Sequence, residues 1–306
     1  MYVVYDNTKI FYYITSLENN NQNKTNLDNE KLEKNNTNEN EKWAKNTEFI
    51  VFLHGWGARS EVLVPLARMF AKSSREKKVS YQKTPLEHRK YRGIKRRQGT
   101  KKSGQVLGIE KADFEKVLKF RDNVDTEQKF VFIDFPPFGR SGEPTKSWGI
   151  EDYTKAVLQV LEAENIKKIK IIAHSFGGRV AILLSSVYNI ADEMILIGGA
   201  GLKMKKSLGV RLKIAVYKIC KRFGFRPKNA GSHEYKQLSP VMKETFVRVV
   251  NSKLDCQAKQ ISCPVTLIYG ENDNATPPEL ALRLHNLLQN SVLYLVKDAG
   301  HFVWLR

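Results

Sequence analysis

The stretch IKIIAHSFGG, residues 169–178, decides the fold of this chain. Its first half is apolar and mostly β-branched, which is typical of a buried parallel strand. The run from Gly177 to Val187 is typical of a packed helix. Ser175 therefore lies at a sharp strand-to-helix reversal, with the small residues Ala173 and Gly177 two positions away on either side. This geometry directs the serine hydroxyl outward, where a substrate can reach it.

Other short apolar runs along the chain are also strand-like. They are Tyr2–Tyr5, Ile10–Thr15, Phe49–Leu53, Phe130–Asp134, Met194–Gly198, Val265–Tyr269 and Val292–Val296. After a hairpin signal at residues 6–8, helical patterns mostly alternate with these runs. The alternation predicts the α/β class, with a mostly parallel eight-stranded sheet flanked by helices on both faces. A chain of 306 residues indicates one large core with inserted segments.

Three loops that follow strands contain residues that are typical of a catalytic site. His54-Gly55-Trp56-Gly57 follows the run Phe49–Leu53, and its glycines let the backbone approach a ligand closely. Asp273 lies in the turn after the run Val265–Tyr269, and His301 follows the last strand, 28 residues further on. Serine, aspartate and histidine in this order indicate a nucleophile, an orienting acid and a general base.

With these parts in place, the chain resembles the α/β-hydrolase fold superfamily. Within this superfamily it resembles the lid-bearing serine hydrolases, a group that includes carboxylesterases and carbon–carbon bond hydrolases. The segments that carry the resemblance are residues 54–57, 132–142, 173–178, 269–277 and 298–302. The resemblance covers most of the chain apart from three insertions, and it implies no cofactor.

The resemblance implies a role for each site residue. Ser175 would be the nucleophile, His301 the base and Asp273 the acid, in preference to the neighbouring Glu271. The backbone N–H groups of Trp56 and Phe176 would form the oxyanion hole. His54 and His174 are interpreted as structural residues: His54 would brace its loop, and His174 would point away from the nucleophile.

The expected reaction is hydrolysis of a small carboxylic ester through an acyl-enzyme. Carbon–carbon, thioester and lactone cleavage stay open, because the same triad and oxyanion hole serve them all. Epoxide hydrolases and haloalkane dehalogenases of this fold need a carboxylate nucleophile at the position of Ser175, so these activities are disfavoured. The structural alternative is a serine in an ordinary turn, hydrogen-bonded to backbone.

Three insertions interrupt the core, which is assigned to residues 1–199 and 264–306. Segments 18–47 and 72–129 are expected to be disordered or irregular loops, and 200–263 to be a helical lid. Segment 72–129 has 18 Lys or Arg against 8 Asp or Glu, and segment 200–263 has 15 against 3. The formal net charge of +19 is therefore concentrated in inserted segments.

The lid contains two amphipathic helical patterns. One spans residues 208–223 and is basic, and the other begins at Ser239-Pro240, which suits a helix cap and first turn. We expect an apolar acyl pocket lined by Met204, Phe223, Met242 and Phe246, although such residues more often form only the interior of a lid.

The basic insertions also raise a hypothesis of another class, a weakly active or inactive hydrolase-like protein that binds anionic partners. Nucleic acid or an anionic membrane surface would be such a partner. We favour a small-molecule ester as the partner, because no nucleic-acid recognition motif accompanies the charge.

The cysteines and the apolar runs of the sequence indicate in which cellular compartment the protein is expected. Cys220, Cys256 and Cys263 form neither a pairing pattern nor a metal pattern, and no run reaches membrane-spanning length. No secretory signal is visible at the start, so a cytoplasmic location is expected. Relatives usually carry a further helix after the histidine, so a chain that stops at Arg306 is expected to support that loop less well.

Overall fold

Ten strands form one sheet in the computed structural model of the protein, which describes residues 1–17, 43, 47–75, 84–85, 105–121, 127–202 and 233–305. The strands are β1 (Tyr2–Tyr5), β2 (Thr8–Thr15), β3 (Thr47–Leu53), β4 (Thr84–Pro85), β5 (Val106–Ile109), β6 (Glu127–Ile133), β7 (Ile169–His174), β8 (Ala191–Ile197), β9 (Val265–Gly270) and β10 (Ser291–Val296).

The strand order is β1-β2-β6-β3-β7-β8-β9-β10-β5-β4. The block from β6 to β5 is parallel throughout, whereas β1, β2 and β4 join it as antiparallel strands. The α/β class and the mostly parallel sheet are therefore confirmed. All of the strands expected from the sequence are present, with their ends displaced by no more than three residues.

Helices cover both faces of the sheet. They are α1 (Val64–Arg75), α2 (Phe114–Val117), α3 (Ile150–Ala163), α4 (Gly177–Ser186), α5 (His233–Gln237), α6 (Pro240–Asn251), α7 (Asp255–Gln260) and α8 (Pro278–Leu287). Among the described residues, none of these helices has the length and apolarity needed to cross a membrane.

Alternating side chains of the central strands supply two separate cores. On β3, Val51 and Leu53 pack with residues of α3, α4 and α8, whereas Ile50 and Phe52 pack with residues of α1 and α2. This alternation follows from the two-residue period of a strand. Parallel strands buried on both faces explain why their sequences are almost continuously apolar.

The expectation of a disordered or irregular segment over residues 72–129 is wrong for residues 105–121. Here β5 pairs in parallel with β10, and the following turn and α2 bury Phe114, Val117 and Phe120. The sheet consequently has ten strands where the sequence predicted eight. A four-residue run interrupted by Gly108 is too short for periodicity to reveal, and only its pairing with β10 makes it a strand.

The helix predicted to begin at Ser239-Pro240 is α6. The Ser239 hydroxyl accepts the N–H of Met242 at 3.1 Å and so caps the helix. This helix is attached to the loop before α3, where Thr245 Oγ1 accepts the Trp148 N–H at 3.0 Å. Residues 203–232 of the proposed lid, including the basic helix over 208–223, and most of the segment 18–47 lie outside the described residues.

Replacing Phe114 with Ala tests whether residues 105–121 belong to the core. Phe114 is 2% exposed and packs with the core on the α1 side of the sheet. Its loss should lower the free energy of unfolding by about 3–5 kcal/mol, since truncating a buried aromatic side chain leaves a cavity. Urea denaturation measures the change. Lys111→Ala, at an exposed position of the same segment, is the matched control, and equal stabilities would contradict the assignment.

Candidate active site

Ser175 occupies a strained turn between β7 and α4. Its φ of +51° lies in the left-handed region, which residues other than glycine seldom adopt. Three backbone bonds hold it there: its N–H donates to Ile197 O at 3.1 Å, and its carbonyl accepts from Gly178 at 3.0 Å and Ala200 at 2.8 Å. The left-handed conformation is therefore held by the backbone of α4, by the end of β8 and by the residues that follow β8.

Small residues are required on either side of Ser175. A Cβ on Gly177 would lie 2.3 Å from the carbonyl oxygen of Leu53, closer than any side chain can be accommodated. Ala173 is completely buried in β7. The turn can therefore form only because α4 begins without a side chain against β3.

Asp273 and His301 form a hydrogen-bonded pair. His301 Nδ1 lies 2.7 Å from Asp273 Oδ2, in the loops that follow β10 and β9. Gly270 permits the approach of these loops, because a Cβ there would lie 2.3 Å from the carbonyl oxygens of Ala299 and Gly300. The preference for Asp273 over Glu271 as the partner of the histidine agrees with this contact.

The pKa of Asp273 is lowered by its surroundings. Burial by itself raises it, but the hydrogen bonds from His301 and Thr276 and the charge of His301 outweigh burial. Oδ1 accepts the N–H groups of Ala275 and Thr276, each at 2.8 Å. The carboxyl group is consequently held as a carboxylate that can orient the imidazole.

The end of β8 brings the serine turn and the histidine loop together. Ser175 donates its N–H to Ile197, the last residue of β8. The next residue, Gly198, has a φ of +52° and faces the imidazole, since a Cβ there would lie 3.1 Å from His301 Nδ1. The three residues that the sequence analysis selected as a triad thus lie at one edge of the sheet, beyond the carboxyl ends of parallel strands.

The loop after β3 packs against the serine turn. A Cβ on Gly55 would lie 3.3 Å from Ser175 Cβ, and Gly177 donates its N–H to His54 O at 3.1 Å. Within the part of the chain that the structure describes, the N–H groups of Trp56 and Phe176 donate to no protein group. That both groups face an oxygen atom bound beside Ser175 stays a prediction.

His54 braces the loop after β3. Its Nε2 accepts the Phe135 N–H at 2.8 Å, so the proton is on Nδ1, which donates to Gly55 O at 2.7 Å. The ring is completely buried, and burial lowers its pKa. A neutral ring with both nitrogens engaged in this way is a structural residue, as the sequence analysis expected.

His174 supports the histidine loop, which agrees with the structural role expected from the sequence. Its ring lies 4.6 Å from the ring of His301 and 4.7 Å from that of Trp304. Its Nε2–H donates to His301 O at 3.2 Å. Burial, followed by the nearby charge of His301, lowers the pKa of His174 to about 3. A neutral His174 therefore supports the loop that carries His301.

Half-buried aromatic rings surround the loop after β3. The ring of Trp56 lies 5.4 Å from Phe246 of α6 and 5.1 Å from Phe138, and Tyr235 lies 5.7 Å from Phe246. Phe246 was expected here from the sequence, whereas Phe138 and Tyr235 were not, although Phe138 is part of the segment 132–142 that carries the family resemblance.

Of the other residues expected to line the pocket, Met242 lies within the described part of the chain. Met242 is almost completely buried, with 1% of its surface exposed. Met204 and Phe223 lie outside the described residues. In the described ranges, no group of three or more His, Cys, Asp or Glu side chains is arranged to hold a metal ion.

Family models match two parts of the chain. The model described as the alpha/beta hydrolase fold matches residues 113–210, and the model described as a TAP-like protein matches residues 246–305. The first range contains the serine turn, and the second contains Asp273 and His301.

Related proteins include hydrolases. The uncharacterized hydrolase YugF of Bacillus subtilis is 28% identical over 225 residues, which cover 62% of this chain and 78% of that protein. The 2-hydroxy-6-oxononadienedioate/2-hydroxy-6-oxononatrienedioate hydrolase of Klebsiella pneumoniae is 23% identical over 207 residues, covering 58% of this chain and 72% of the relative.

A similar solved structure comes from work on carboxylesterases of the ammonia-oxidizing thaumarchaeon Nitrososphaera gargenis. It has a TM-score of 0.58 and 11% sequence identity, and the alignment covers 99% of this chain and 92% of that chain. At this level of identity the likeness establishes the fold alone.

Replacing His174 with Gln should make the free energy of unfolding depend less on pH below about pH 6.5. In the unfolded chain this imidazole binds a proton near pH 6.5, whereas in the folded protein its pKa is about 3. The unfolded state therefore binds more protons between these values. The free energy of unfolding of the parent should fall as the pH decreases from about 6.5 to 3, with up to about 1.4 kcal/mol per pH unit from this group.

Urea denaturation of the parent and of His174→Gln between pH 4 and 8 measures this contribution. The difference between the two curves isolates His174 from the other acid-titrating groups. Curves that stay parallel throughout this range would show that His174 is not held neutral by the fold.

Proposed function

Since the chain belongs to the α/β-hydrolase superfamily, we propose that it is a serine hydrolase that cleaves a small carboxylic ester. Ser175 is the nucleophile, His301 the general base and Asp273 the residue that orients the base. The observation that carries the proposal is the 2.7 Å bond between His301 Nδ1 and a carboxylate held ionised by its neighbours. Such a pair fixes the histidine tautomer with Nε2 free to accept a proton.

In the first half of the reaction, His301 Nε2 takes the proton from the Ser175 hydroxyl as its oxygen attacks the ester carbonyl carbon. The carbonyl oxygen becomes an oxyanion, which accepts the N–H groups of Trp56 and Phe176. His301 then gives the proton to the departing alcohol oxygen, and an acyl group remains on Ser175.

In the second half, water replaces the alcohol. His301 takes a proton from the water as the oxygen attacks the acyl carbonyl, and the same N–H groups bind the new oxyanion. The proton returns to the Ser175 oxygen as its bond to the acyl carbon breaks, and the carboxylic acid leaves. These steps use side chains, backbone N–H groups and water.

The substrate's apolar part is proposed to lie against the aromatic rings beside the loop after β3. Phe246 is half-buried, contacts the Trp56 ring and belongs to α6, within the proposed lid. Met242, one turn earlier, supports this helix from its buried side, so we propose Phe246 as the ring that contacts substrate. Met204 and Phe223 remain proposed lining residues of the same pocket.

A carbon–carbon bond hydrolase with the same triad is the second candidate. The observation in its favour is the relative from Klebsiella pneumoniae, which is named for a 2-hydroxy-6-oxo dicarboxylate. Turnover of that compound and of p-nitrophenyl acetate, compared as kcat/KM, separates the two candidates. A higher value for the oxo acid would overturn the ester assignment while leaving the triad intact.

Labelling with a fluorescent fluorophosphonate tests whether Ser175 is activated. The parent should become covalently labelled, because the probe reacts with a serine whose proton is removed by a neighbouring base. Ser175→Ala should not be labelled, and its rate of p-nitrophenyl acetate hydrolysis should fall by at least about 10⁴-fold. Gel fluorescence and absorbance measure the two outcomes.

Ser186→Ala, at the other end of α4, is the matched control and should label like the parent. A parent protein that stays unlabelled while folded would contradict an activated serine. Labelling that persists in Ser175→Ala would place the reactive serine elsewhere.

Replacing Phe246 with Ala tests the proposed aromatic subsite. The loss of its ring should raise KM for phenyl-substituted esters by about tenfold, because apolar surface of the substrate is no longer covered. KM for acetate esters should change little. Val247→Ala, at a neighbouring position that is 45% exposed, is the control. The same change in KM for both ester classes would argue against the subsite.

A further inference from the structure

The Thr276 side chain reaches both members of the Asp273–His301 pair. Thr276 is 4% exposed and lies between β9 and α8, directly before Pro277. Its Oγ1 is 2.7 Å from Asp273 Oδ2 and 3.3 Å from His301 Nδ1. The sequence alone does not indicate a role for Thr276, because a threonine before a proline is not a catalytic motif.

The Thr276 hydroxyl has one proton and two acceptors in reach. Oγ1 lies 2.7 Å from Asp273 Oδ2 and 2.9 Å from the carbonyl oxygen of Gly198. The carboxylate is the stronger acceptor because it carries a charge, and it is also the nearer one. The hydroxyl therefore donates to Asp273, and its contact with Gly198 keeps it at the end of β8.

The two oxygens of the Asp273 carboxylate have different sets of donors. Oδ1 accepts two backbone N–H groups, those of Ala275 and Thr276. Oδ2 accepts only side-chain donors among the described residues, namely the Thr276 hydroxyl and His301 Nδ1. Without the hydroxyl, the one donor left on Oδ2 among the described residues would be the imidazole that this oxygen has to orient.

We infer that Thr276 is a positioning residue for the proposed triad. Its hydroxyl fixes Asp273 Oδ2 in line with His301 Nδ1, independently of the imidazole. As His301 takes the serine proton, the carboxylate then stabilises the positive charge that develops on the imidazole, without having to rotate. This inference rests on the proposed function, in which His301 acts as the base.

The test compares Thr276→Val, which keeps the shape but removes the hydroxyl, with Thr276→Ser, which keeps the hydroxyl. We expect kcat for p-nitrophenyl acetate to fall by about 10- to 100-fold in the valine variant, with KM within about threefold of the parent. The serine variant should recover most of the parent's kcat. Thr154→Val removes another buried hydroxyl, one that bonds to Ile150 O in α3, and should leave kcat unchanged.

A second readout does not depend on turnover. The proton of His301 Nδ1, observed by NMR, should give a sharp downfield resonance in the parent and in Thr276→Ser. In Thr276→Val it should broaden through exchange with water, because Oδ2 has lost its hydroxyl donor and holds the imidazole less firmly. His301→Gln identifies the resonance.

The outcomes separate this inference from the proposed function. A valine variant with the kcat and the NMR resonance of the parent would overturn the role of Thr276 and leave the hydrolase assignment standing. A parent that is not labelled at Ser175 would overturn the hydrolase assignment, and the NMR comparison would then decide whether Thr276 orders the Asp273–His301 pair. A valine variant that loses kcat only in proportion to a lower folded fraction would also overturn the inference.

Discussion

The contact between the start of α4 and the end of β3 is the constraint on which the site depends. At Gly177 the helix backbone comes so close to Leu53 that no Cβ fits between them. This approach forces the chain to reverse within the serine turn, and Ser175 takes a left-handed conformation as a result. The same approach places the loop after β3 beside Ser175, because that loop continues directly from Leu53.

The parallel sheet explains how distant residues come together. In a parallel sheet the carboxyl ends of neighbouring strands lie at one edge, so loops that follow β7, β9 and β10 meet there. Glycine residues then let these loops approach each other closely. Gly198 leaves space for the imidazole, and Gly270 lets the histidine loop approach the aspartate loop.

Much of the support for the site comes from residues whose roles no motif indicates. His174 supports the loop that contains His301, because its Nε2–H donates to the His301 carbonyl oxygen and its ring packs against the His301 ring. It remains neutral because it is buried. Thr276 contacts Asp273 through both its N–H and its hydroxyl. Spacing along the chain could not reveal either role, since each depends on a loop that arrives from another strand.

The sequence by itself determined the strands of the core, their mostly parallel arrangement and the candidates Ser175, Asp273 and His301. It could do so because buried parallel strands are continuously apolar and because a serine at a tight reversal needs small neighbours. Tertiary structure alone decided that residues 105–121 belong to the sheet, that His174 faces His301 and that Thr276 completes the carboxylate's hydrogen bonds. These features arise from pairing and packing between segments far apart in the chain, and local residue patterns cannot predict such contacts.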